Sequence, residues 1–227
     1  MARMLFIHGH LIIDDYRQYE DGALLVDENK IISVYPHSNK VPVIDVYTVN
    51  LDGRVVFPSF DYDYSNYYSI VDPLNKIVTD KKIFIGNTKA YSEDVEMEYT
   101  GIYDLFNNMT GFNHQKPGLV NLAFTKPDTY VYIDPLKMDK SVFKICLKLI
   151  KRDRLMIMNN KLYALSLFKE FNINYNDMLM MCGLNETRLF DKDKYKGTLL
   201  QGKDSTFYCF DEKMNKVFKY EGGKISV

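Results

Sequence analysis

The sequence predicts an α/β chain in which a strand–helix middle is set between two β segments. Three observations carry this. Residues 3–57 break into short apolar runs separated by polar turns, and residues 205–223 do the same. Between them, apolar runs of strand length alternate with segments whose apolar residues recur at helical spacing. The 227 residues, 46% of them hydrophobic, are enough to bury a sizeable core as one large domain or two small ones.

In chain order, residues 5–13, 22–26 and 31–34 read as strands, with Asp27-Glu28-Asn29-Lys30 as the hairpin turn before the third. A strand over 41–49 follows, then the turn Leu51-Asp52-Gly53-Arg54. Val55-Val56-Phe57 opens a further strand, which breaks into Asp61, Tyr62, Asp63, Tyr64, Ser65 and Asn66. Strand alternation puts Asp61, Asp63 and Ser65 on one face and Tyr62, Tyr64 and Asn66 on the other. In the middle, residues 83–86, 102–106, 130–134 and 154–158 read as strands, the third ended by Pro135. Residues 92–99 read as a helix with Ser92 at its N-cap and Glu93 and Asp94 in the first turn, although Val95 leaves it without a capping box. Over 141–150 the residues Val142, Phe143, Ile145, Cys146, Leu149 and Ile150 make a helical stripe, and 163–171 and 175–182 are also helical. Strands over 205–210 and 217–220 flank a polar turn near the end. Strand–helix alternation implies parallel pairing, and the two β ends are expected to pair with each other because domain termini lie close together.

Composition excludes several functions. Twenty-nine Lys and Arg against 30 Asp and Glu give a net charge of −1, so no field draws the chain to nucleic acid. The basic run at 148–154 ends an amphipathic segment, where a helix C-terminus favours cations. Cys146, Cys182 and Cys209 stand far apart, without metal-type spacing, and read as buried thiols of a reducing compartment. The first residues turn acidic too soon for a signal peptide, and no apolar run approaches the roughly 20 residues of a membrane span. The expectation is a cytoplasmic protein with no membrane and no nucleic-acid partner. His8-Gly9-His10 has metal-type spacing but reads as a strand turn with two ordinary histidines. Asp61, Asp63, Asp104 and Asp134 offer oxygen ligands for a hard cation, a weaker reading than strand-end caps.

Several ordered blocks resemble N-acetylglucosamine-6-phosphate deacetylases of the amidohydrolase superfamily. The blocks are IHGHLIIDD, DGALLVDENKIISV, LDGRVVFPSFD, IFIGNTKAYSEDV, YDLFNNMTGFNHQKPGLVNLAF, YVYIDPLKMDK, DRLMIMNNK and GTLLQGKDSTFYCFD. The resemblance implies an amidohydrolase-type barrel, a divalent metal held largely by histidines, and an aspartate that shuttles a proton. The residues at those positions depart from the pattern. The family's His-X-His falls on Tyr64 and Asn66, or on Asp63 and Ser65 if one residue is missing. Its next histidines fall on Asn87, Asp104 and Lys137, its catalytic aspartate on Asn160, and its phosphate-reading arginine on Gln115. What is retained is scaffold: Gly86, Leu105, Phe106, Asn107, Met109, Pro117, Gly118, Asp134 and Gly202-Lys203-Asp204. Metal-assisted amide hydrolysis needs a Lewis acid that makes hydroxide at neutral pH, and a carboxylate to carry the proton to the leaving amine. Asparagine has no useful pKa and is a poor metal donor, and Lys137 puts a cation where a ligand belongs.

Length agrees with this. Five barrel-type strands are legible, and a closed eight-stranded barrel needs roughly 200 residues or more. The expected fold is therefore a shortened, incomplete amidohydrolase-type TIM-like barrel of about five βα units over 58–196. A small β-sandwich built from 1–57 and 197–227 accompanies it. Three functions follow, in order. The first is a catalytically inactive relative that needs no cofactor, with a structural or partner role or residual amino-sugar phosphate binding through Asn107, Asn108 and Lys137. The second is a working deacetylase with zinc held by a rebuilt carboxylate site at Asp63, Asp104 and Asp134. The third is a chain that folds and binds nothing. Unpaired sheet edges imply a homodimer or pairing with a full-length paralogue.

Overall fold

The computed structural model describes residues 3–60, 83–85, 90–91, 129–133, 135–137, 140–157, 160–189 and 192–227. In chain order the strands are β1 (Arg3–Ile12), β2 (Gln18–Asp27), β3 (Lys30–Tyr35), β4 (Tyr47–Asn50), β5 (Val55–Pro58), β6 (Ile83–Ile85), β7 (Ala90–Tyr91), β8 (Thr129–Ile133), β9 (Leu155–Ile157), β10 (Phe207–Phe210), β11 (Lys216–Glu221) and β12 (Lys224–Ser226). The helices are α1 (Lys140–Leu149), α2 (Lys161–Glu170), α3 (Tyr175–Leu179) and α4 (Asn185–Leu189). The chain divides into two compact units, Met1–Phe60 with Leu162–Val227, and Asp61–Lys161.

In the first unit both ends of the chain enter one eight-stranded sheet of order β12-β11-β10-β5-β1-β2-β3, with β4 also paired to β1. The expected meeting of the two ends occurs at β5 and β10, antiparallel, Val55 opposite Phe210 and Pro58 opposite Phe207. Alternation along β1 sends Phe6 into the main core with Leu24, Val26, Phe207 and Tyr220. Leu5 goes to the opposite face, with Ala23 and Leu25. Phe6 sits edge-on to Phe207 at 5.0 Å and to Tyr220 at 5.3 Å, a geometry that suits the ring quadrupoles.

β1 changes partner half-way. Its residues 4–7 run parallel to β4, and His10 and Leu11 run parallel to β5. β1 bulges at His8, where its register against β2 slips between Phe6 and Gly9 and φ is +57°. The turn answering it has Asp52 at φ +50° and Gly53 at +75°, and Gly53 N–H donates to His8 O at 2.7 Å. At the far edge of the sheet, Gly202 N–H donates to Ile31 O at 2.8 Å and Ile31 N–H to Lys203 O at 2.9 Å. The Gly-Lys-Asp turn thus closes the start of β3.

The strand expected over 41–49 is confined to β4. Pro42 has no N–H to give a ladder. Val41, Ile44 and Val46 instead pack as an irregular cover on Leu5, Ala23 and Leu25. The helix expected over 175–182 runs on to Leu189, because a π turn over Met180–Leu184 joins α3 to α4. That turn carries the buried Met181, Cys182, Gly183 and Leu184. A Cβ on Gly183 would lie 3.4 Å from the Phe60 Cβ, so the helix approaches the end of the β5 segment closely.

In the second unit the described strands form a sheet of order β7-β6-β8-β9. β6, β8 and β9 are parallel neighbours, as the strand–helix alternation implies, and β7 returns antiparallel on β6. α1 follows β8, and the basic run after it serves the helix end: the Arg152 guanidinium donates to Leu147 O. This is a mixed α/β fold, and among the described residues it is an open sheet rather than a closed barrel. The expected helix at 92–99 and strand at 102–106 lie outside the described residues.

Candidate functional site

The place to look in a parallel sheet is the C-terminal end of its strands, where loops rather than ladders satisfy the backbone. β8 and β9 pair in register, with Val131 opposite Leu155 and Ile133 opposite Ile157. Two of the residues singled out from the sequence follow these strand ends. Lys137 closes the 3-10 turn Pro135–Lys137 between β8 and α1. Asn160 follows β9 and precedes α2; it is exposed and has φ +53°, a left-handed conformation that asparagine tolerates better than other β-carbon residues. α1 has ten residues, with no acidic residue in its first turn.

The other candidates, Tyr64, Asn66, Asn87, Asp104, Asn107 and Asn108, lie outside the described residues. So do Asp61, Asp63, Asp134 and Gln115.

The chemistry of the two described positions does not fit a divalent metal. An ammonium repels one, and an amide oxygen is a weak ligand for zinc. Among the described residues no three His, Cys, Asp or Glu side chains are arranged to hold an ion. His8 and His10 take separate partners: His8 Nδ1 lies 2.8 Å from Asp21 Oδ1 and His10 Nε2 lies 3.2 Å from Gln18 Oε1. Nor are the Cys146 and Cys209 thiols poised as nucleophiles. Burial pushes Cys146 and Cys209 up to about 12, leaving almost no thiolate at neutral pH.

The polar cluster that sequence reading did not anticipate lies in the first unit, at the β1–β2 turn. Burial by itself would raise the Asp14 carboxyl. The Arg17 guanidinium at 2.6 and 2.8 Å and the N–H groups of Tyr16 and Arg17 outweigh it and hold the group below the ordinary carboxylate value. Asn176 on α3 donates its amide to Asp14 O at 2.7 Å, and Arg188 on α4 donates to Asp15 Oδ2 at 2.8 Å. Lys203 belongs to the same neighbourhood. Burial lowers its pKa, with Asp193 opposing, and its ammonium donates to the Asp193 carbonyl. Every strong polar group in this cluster faces another protein group, so its chemistry is that of a clamp. The sequence signal was the Asp-x-x-Arg spacing across a turn, which also suits an ordinary solvated hairpin.

No protein-family pattern matches the chain, and no curated protein matches it in sequence. Solved structures do match. N-acetylglucosamine-6-phosphate deacetylase from Pasteurella multocida superposes with a TM-score of 0.63 at 10% identity, over 99% of this chain and 100% of that one. The Thermotoga maritima enzyme of the same name gives 0.60 at 9%, over 98% and 99%. Dihydropyrimidinase from Brevibacillus agri gives 0.56 at 8%, over 100% and 95%. At such identities the likeness establishes the fold alone, the mixed α/β fold that these structures share.

Proposed function

We propose that the chain is a catalytically silent relative of the N-acetylglucosamine-6-phosphate deacetylases, a binding or structural protein whose ligand class is an amino-sugar phosphate. The observation that carries this is the residue chemistry at the ends of β8 and β9. Where amide hydrolysis wants a metal ligand and a proton-carrying carboxylate, the chain offers Lys137 and Asn160. The fold shared with deacetylase structures supports the family reading.

Lys137 supports the ligand class. An ammonium in the strand-to-helix loop ahead of α1 attracts a phosphate as a point charge. On this reading the second unit is a shortened barrel. Its open edges are covered by a second copy or by a complete paralogue in the cytoplasm.

The test uses the purified chain with N-acetylglucosamine-6-phosphate, with zinc, manganese, iron and no metal in parallel. The expected result is no free amine above a protein-free control. Metal-dependent product overturns the silent reading. Thermal unfolding with the same sugar phosphate addresses binding. Ligand at 100 times its Kd stabilises by roughly 2.7 kcal/mol, and Lys137→Ala should remove most of the shift. Absence of any shift leaves only the structural role.

A further inference from the structure

We draw no further inference here: the strongest candidate, the edge of β4 that no described strand pairs, with the exposed Tyr47 on it and the exposed Val43 before it, carries nothing because no feature of the structure shows what covers it.

Discussion

Two glycines with nearly the same backbone angle make different demands. Gly197 has φ +84° and Gly202 has φ +82°. A Cβ on Gly197 would meet Thr187 Oγ1 at 2.7 Å, and that hydroxyl is buried and donates to Leu184 O at 3.0 Å. A Cβ on Gly202 would meet nothing within 4 Å. Gly202→Ala therefore carries the conformational penalty alone, about 1 kcal/mol. Gly197→Ala carries that penalty plus a displaced buried hydroxyl, roughly 3 kcal/mol in all. Urea unfolding of the two variants measures the difference, and equal losses would show that Thr187 gives way freely. Asp14 is a second test at this scale. Its carboxyl is held below the ordinary value, so its stabilisation is present above about pH 3.9 and disappears as pH falls through the lower folded value. Asp14→Asn should cost roughly 2 kcal/mol at neutral pH through the lost charge-assisted bonds. It should also flatten the acid limb of stability below about pH 3.9. An acid limb as steep as that of the unaltered chain would assign it to other carboxylates.

At the scale of elements, the α3–π–α4 segment depends on its ends. Asn174 Oδ1 accepts from Asp177 N–H at 2.8 Å, which satisfies one of the free donors at the start of α3. Asn174→Ala should cost about 1 kcal/mol and speed amide exchange in the first turn of α3. Unchanged exchange would place the anchoring in Asn176 and Arg188 instead. The start of the helix was readable, since its helical pattern begins at Tyr175. The extent of the helix was not: the Cys-Gly pair at 182–183 looks like a stop, yet Gly183 is there to let the helix approach Phe60. Strands were legible where apolar residues alternate against a core, as in β1 and β2. The segment at 41–46 misled because its apolar residues cover a sheet face without joining it, and spacing does not distinguish covering from pairing. The β1 bulge was equally hidden, because His8 at positive φ answers a turn more than forty residues away.

For the whole molecule, residue type was informative about chemistry while the arrangement of the chain was informative about place. Lys137 and Asn160 are unremarkable in sequence except against the family pattern; it is the parallel register of β8 and β9 that brings their loops to one end of a sheet. On the proposed silent reading, the decisive question is whether activity was lost at one position or at several together. Asn160→Asp separates these. A general acid–base group contributes roughly 10²- to 10⁴-fold to a rate, which is observable only if a metal or its equivalent already activates water. If ligands and shuttle were lost together, restoring the carboxylate alone leaves amine release from N-acetylglucosamine-6-phosphate at the protein-free level, with or without zinc. At position 137 the chain likewise offers an ammonium and not a metal ligand. If instead the variant turns over substrate in a zinc-dependent manner while the unaltered chain does not, the remaining machinery is intact and Asn160 is the single missing part. The control is Lys137→His with Asn160→Asp, which removes the ammonium and returns two positions at once. Metal-dependent turnover in the double variant alone would put the loss at both strand ends, and none in either variant extends it to further positions.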